Sequence, residues 1–192
     1  AGKTIMTTEP KFIPEEAVEV NLEDGAKFNV RLIDCVGYIV EGALGHEENG
    51  KQRLVSTPWS KDAMTFEEAA EIGTKKVIRD HSTIGVVVIT DGSVTGIERG
   101  SYIEAEERVI DELKSMNKPF VVILNSLTPK DEKTELLRNE LEEKYEVPIL
   151  PVNVEQMEEP DIENILETVL YDFPLNEIRI KYLSKKGTIS LL

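Results

Sequence analysis

Two runs of alternating apolar and polar residues, Ala17 to Leu22 and Lys27 to Ile33, stand on either side of Asp24-Gly25. A two-residue period puts every second side chain on one face, and glycine after aspartate tolerates the positive φ of a tight reversal, so the pattern predicts a β-hairpin. From Thr65 the period becomes helical. Thr65 with Glu68 three residues later has the form of a capping box, and Ala69, Ile72, Val77 and Ile78 then recur on one side, predicting a helix from about Phe66 to Asp80.

Beyond that helix, strand-like and helix-like segments alternate: IGVVVITDGS, SYIEAEERVIDELKSM, KPFVVILNS, DEKTELLRNELEEKY, VPILPVNV and DIENILETVLYDF. This is a βαβαβα series. Gly85 to Thr90 and Phe120 to Leu124 are apolar throughout, as expected of strands covered by helices on both faces. The expected fold is α/β: a mostly parallel sheet with flanking helices and the hairpin's first strand antiparallel at one edge. Gly37 to Ser60, with Pro58 and Trp59, keeps no period and reads as a long loop. PLNEIRIKYLSKKGTISLL opens like a strand and reads as the start of another region, so the expected division is residues 1–174 and 175–192.

A length of 192 residues with 40% hydrophobic content suits one domain with a sizeable core. The net charge of −15 argues against nucleic acid and against direct binding to anionic lipid, since both need clustered Lys and Arg. Cys35 is the only cysteine, and no apolar run approaches the roughly 20 residues that span a bilayer, which fits a reducing cytosol. The chain opens on Ala1 rather than methionine, as an excised piece would. His46 and His81 are too far apart to suggest a metal pair and read as a surface residue and a helix-end residue. The helix DEKTELLRNELEEKYE reads as a solvated face with i,i+4 pairs such as Glu140 with Lys144.

In an open parallel sheet, ligands gather at the carboxyl ends of strands, and Asp34, Asp91 and Asn125 all fall at such ends. DCVG, Asp34 to Gly37, carries the chemistry a nucleotide enzyme needs. The carboxylate holds hydrated Mg²⁺, and a glycine three residues on lets a backbone N–H approach a terminal phosphate. Alone, D-x-x-G is common, and a strand-terminating turn explains it equally well. The preceding TIMTTEPKFIP adds the adjacent hydroxyls of Thr7 and Thr8, as in a switch I loop that can ligate Mg²⁺ and sense the γ-phosphate.

Gly2-Lys3-Thr4 ends like a phosphate loop, but IMTTEP follows it where a helix is required, so the phosphate loop, its strand and its helix are expected upstream. Asn125 ends VVILNSLTP, where guanine-specific GTPases show N-K-x-D, and Thr128 stands at the aspartate position. Losing that acceptor pair removes the main discrimination for guanine and makes adenine plausible. Ser126 and Thr128 could instead cap the following helix, where Asp131 and Glu132 suit the positive dipole end. Tyr38 stands where many GTPases position a water-orienting glutamine, so hydrolysis is expected to rely on other groups such as Thr7 or Thr8.

The segments AGKTIMTTEPKF, RLIDCVGY, STPW, EEAAEIGTKKVI, DHSTIGVVV, TDGS, YIEAEERVI, KPFVVILNS and EKYEVPIL, in this order, resemble the stage IV sporulation protein A family of spore-coat ATPases. The likeness covers about Ala1 to Pro174. It implies a P-loop domain related to translation-factor-type GTPases but using ATP and Mg²⁺. Asp34 would match the Walker B acid and Thr7 and Thr8 the sensor threonines; from the residues themselves, Gly37 and Asn125 are the further candidates for nucleotide contact. It also implies ATP-driven self-assembly into a polymer on the forespore surface, in the mother-cell cytoplasm. A small amphipathic membrane-anchoring peptide and other coat proteins would be partners.

Overall fold

The computed structural model describes residues 12–21, 27–43, 47–48, 50–58, 60–171, 180–184 and 187–191. The predicted hairpin forms: β1 (Phe12–Asn21) pairs antiparallel with β2 (Lys27–Ile33), from Phe12 opposite Ile33 to Asn21 opposite Lys27. β1 starts earlier than its alternating pattern, and the ladder shifts register between Ile13 and Val18.

The region read as a long loop contains two short ladders: β3 (Glu47–Glu48) with β4 (Lys51–Gln52), and β5 (Leu54–Val55) with β6 (Met64–Thr65). The second ladder buries Val55 and ends on the N-cap of α1 (Phe66–Lys76). The capping box forms as predicted: Glu68 N–H donates to Thr65 Oγ1 at 3.1 Å, and Thr65 N–H donates back to Glu68 Oε2 at 2.9 Å. The predicted helix continues past Lys76 as a single π-helical turn, Val77–His81, so His81 does end a helix.

The βαβαβα series is observed. β7 (Gly85–Thr90), α2 (Ile103–Ser115), β8 (Phe120–Asn125), α3 (Glu132–Tyr145), β9 (Ile149–Val152) and α4 (Glu159–Tyr171) follow in order, and β7-β8-β9 form a parallel sheet. On one face Val87, Ile89, Val122 and Leu124 pack on Ile110 and Leu113 of α2 and on Leu141 and Tyr145 of α3. On the other, Val121, Ile123 and Val152 meet Ile165 and Val169 of α4. β8 is therefore covered on both sides, as its apolar run predicts. A last hairpin, β10 (Ile180–Ser184) with β11 (Gly187–Leu191), follows.

Two expectations are corrected. The β1-β2 hairpin is a sheet of its own and is not hydrogen-bonded to the edge of the parallel sheet among the described residues. β7 is covered on one face only: Val86 and Val88, on the face that α4 covers over β8 and β9, are 44% and 58% exposed. Residues of β2 and β7 together line two cavities of about 500 and 490 Å³, which share Ile33, Ile84 and Val86 in their walls. Among the described residues no strand pairs with the outer edge of β7, a position that proteins normally cover or pair. The expected Glu140–Lys144 pair also gives way: Lys144 reaches across to Glu107 of α2 at 2.6 Å, while Arg138 bridges Glu135 and Glu142.

One buried polar cluster ties α2 to α3. Glu106 of α2, 4% exposed, accepts the Tyr145 hydroxyl at 2.6 Å and the Arg99 guanidinium at 2.8 Å. Burial, followed by the bond to that carboxylate, pushes the Tyr145 hydroxyl far above its ordinary pKa.

Candidate functional site

Asp34 follows the last residue of β2 directly, Asp91 follows β7, and Asn125 ends β8, so all three stand at carboxyl ends of strands as expected. The structure does not gather them into one site. Asp34 and Gly37 line the 500 Å³ cavity together with Tyr38, Thr74 and the β7 residues Val86 to Ile89, and Asn125 is not in its wall. Thr7 and Thr8, like the Gly2-Lys3-Thr4 segment and His46, lie outside the described residues.

The Asp34 side chain is exposed and makes no hydrogen bond or ion pair to a described residue, as a carboxylate that takes a hydrated cation requires. No group of three or more His, Cys, Asp or Glu side chains is disposed to hold a metal among the described residues. Among the described residues Asp34 therefore stands as a single carboxylate, which fits a Mg²⁺ site completed by phosphate and water. Cys35 beside it is exposed, yet packing around its sulfur pushes the thiol up, a shift that the Gly37 backbone opposes and the Asp34 charge reinforces.

Gly37 sits at φ +78°, a left-handed conformation that glycine adopts without strain. Its backbone is engaged on both sides: its N–H donates to Thr74 Oγ1 at 3.0 Å, and the same hydroxyl donates to Gly37 C=O at 3.3 Å. Tyr38, the next residue, is anchored on α2. Its hydroxyl donates to Glu112 Oε2, and the Arg108 guanidinium lies 4.8 Å from its ring centroid. Lys75 of α1 joins Glu112 at 2.9 Å, and Arg108 pairs with Glu71. Burial pushes the Glu112 carboxyl up.

At the far end of the parallel sheet, the loops after β7, β8 and β9 are laced together. Asp91 accepts from Ser93 N–H at 2.9 Å and from Ser93 Oγ at 2.5 Å, and Ser93 Oγ in turn accepts Leu127 N–H at 3.0 Å. Asn125 Oδ1 accepts Val154 N–H at 3.1 Å, bracing the β8 loop on the β9 loop, where Asn153 caps a 3₁₀ turn. Burial acts to raise the Asp91 pKa, but hydrogen bonds from Ser126 and Ser93 outweigh it and hold the carboxyl below its ordinary range.

The expected capping by Ser126 and Thr128 is not observed. The N-cap of α3 is Asp131, and the wholly buried Ser126 Oγ instead accepts Thr128 N–H at 3.1 Å, while Thr134 donates to Thr128 C=O. The turn through Pro129 and Lys130 delays the helix, so the hydroxyls brace the turn.

The sequence did not point to Thr74, Glu112, Arg108 or Lys75. One signal was present: Thr74 lies four residues from both Ala70 and Ile78, on the buried stripe of α1, and a hydroxyl there needs a partner.

A family model described as stage IV sporulation protein A, ATPase domain, matches residues 1–174. Proteins named stage IV sporulation protein A are 72% identical in Clostridioides difficile (strain 630), 53% in Bacillus subtilis (strain 168) and 50% in Bacillus anthracis. Each alignment runs over 180 residues and covers 94% of this chain. The chain spans 37% of the length of each of these relatives. No described helix is long and apolar enough to cross a membrane. With an α/β core, an acid at the tip of β2 and a match across most of its length, the chain belongs to the family of stage IV sporulation protein A ATPase domains.

Proposed function

We propose that this chain is part of an Mg²⁺-dependent ATP-hydrolysing domain whose turnover drives self-assembly of a spore-coat scaffold. The observation that carries the site is the exposed Asp34 carboxylate at the tip of β2, followed by Gly37 at φ +78° on the cavity that β7 borders. In this proposal Asp34 holds Mg²⁺, Gly37 N–H serves the terminal phosphate, Thr7 and Thr8 sense that phosphate or position water, and Asn125 serves the base side. Mg²⁺, when bound, supplies neutralisation of charge on the β- and γ-phosphates. We assign the edge of β7 that no described strand pairs to the strand that leads into the phosphate loop, which would give the translation-factor-type arrangement. Residues 1–174 form the ATPase part and 175–192 begin the next region.

The assembly would be a polymer at the forespore surface in the mother-cell cytoplasm, joined by other coat proteins and held to the membrane through a small amphipathic peptide. Thr128 supports ATP over GTP, since its N–H and C=O close a turn on Ser126 and Thr134 and no aspartate is offered to a guanine. In the full-length protein, Asp34→Ala is expected to abolish ATP turnover while the protein stays folded. Retained turnover would overturn the assignment. Competition of GTP against ATP for the same protein tests the base preference.

A further inference from the structure

The proposed phosphate donor, the Gly37 amide, is already occupied. Thr74 lies within α1, is 2% exposed, and spends its hydroxyl outside its own helix, accepting Gly37 N–H at 3.0 Å and reaching Gly37 C=O at 3.3 Å. A helical threonine ordinarily bonds the carbonyl four residues back or faces solvent. Thr74 instead holds a loop of distant sequence.

Its neighbours act in the same place. Glu71, Thr74 and Lys75 share one face of α1 at i, i+3 and i+4 spacing. Through Arg108 and Glu112 of α2, Glu71 and Lys75 flank the ring and hydroxyl of Tyr38. Two consecutive residues, Gly37 and Tyr38, are thus clamped between two helices.

We propose that Thr74 is a positioning residue that parks the Gly37 amide away from the nucleotide, so that a nucleoside triphosphate must displace the Thr74 hydroxyl to engage its terminal phosphate. This rests on the role proposed above for Gly37. The exchange is feasible because an anionic phosphate oxygen is roughly twice as strong an acceptor as a neutral hydroxyl. It is also selective, since a diphosphate lacks the group that competes. The clamp therefore acts against ATP and leaves ADP binding unaffected, and the Tyr38 arm limits how far the loop travels when the amide is released.

The test is equilibrium binding of Mg²⁺ with a non-hydrolysable ATP analogue, and separately of Mg²⁺ with ADP, to the full-length protein. Thr74→Val removes the hydroxyl and keeps the shape. It is expected to tighten the ATP analogue about five-fold, the value of one neutral hydrogen bond, with ADP unchanged. Thr74→Ser, which restores the hydroxyl, returns the ratio towards wild type. Should Thr74→Val fail to fold, Thr74→Ala carries the same expectation.

Parallel changes for both nucleotides, no change, or a selective loss of the ATP analogue would each overturn the inference. Asp34→Ala separates the two levels. If it abolishes turnover while Thr74→Val leaves the ATP-to-ADP ratio unmoved, only the role of Thr74 fails. If Asp34→Ala turns over normally, the site itself is wrongly assigned and the role of Thr74 falls with it.

Discussion

Replacing Arg99 by methionine should cost far more than the ion pair it breaks is worth. Arg99 meets Glu106 at 2.8 Å, with side chains 20% and 2% exposed. At an effective dielectric of about 20 the Coulomb attraction at that distance is roughly 6 kcal/mol. Desolvation cancels much of this, and the pairing is incomplete, because Arg99 Nη1 and Glu106 Oε2 are buried without partners among the described residues. The intact pair therefore contributes little beyond what apolar residues of similar volume would. Removing one member is different, since Glu106 is left as a buried charge with only the Tyr145 hydroxyl, at a cost of about 3 kcal/mol.

Urea denaturation measures this directly: with a slope of about 2 kcal/mol per molar, Arg99→Met should lower the midpoint by roughly 1.5 M. Glu106→Gln keeps an acceptor for Tyr145 and removes the charge, so the Arg99→Met/Glu106→Gln double variant should recover to within about 1 kcal/mol of wild type. Strictly additive single costs, or an Arg99→Met cost under about 0.5 kcal/mol, would refute the reasoning. The outcome matters for the site because α2, which this cluster anchors to α3, carries Arg108 and Glu112 against Tyr38.

Two further outcomes concern the carboxyl end of the sheet. Gly92 has φ +88° and a Cβ there would stand 3.0 Å from Arg99 N, so Gly92→Ala should destabilise by about 1–3 kcal/mol in thermal unfolding. Asp91 titrates below its ordinary 3.8 in the folded chain, so the unfolded chain binds more protons as pH falls. Its contribution is present in full above that value and is lost as pH drops through the lower folded pKa. Acid titration of stability should therefore be shallower in Asp91→Asn than in wild type below about pH 5, and identical curves would count against the Ser93 and Ser126 bonds.

Much of the fold was legible because its signals are local. The capping box at Thr65, the apolar run of β8 and the period of the β1-β2 hairpin each involve residues within a few positions of one another. The candidate acid was legible for the same reason: a carboxylate placed directly after an alternating strand, with glycine three residues on, is a mark within the chain. Misread features depend on what lies across space. Lys144 chose Glu107 over Glu140 because α2 packs alongside α3. Ser126 and Thr128 missed the cap because the turn through Pro129 postpones the helix.

By itself the sequence determined the order and kind of the elements, the acid at the tip of β2 and the family, since periodicity, turn chemistry and motif order are properties of the chain alone. Only the tertiary structure decided that, among the described residues, the hairpin is not paired with the parallel sheet and the outer edge of β7 takes no strand, and that the Gly37 amide is held by Thr74, 37 residues away. The physical reason is that a donor or a sheet edge takes whichever partner packing brings within reach, and no local pattern encodes a partner on another element.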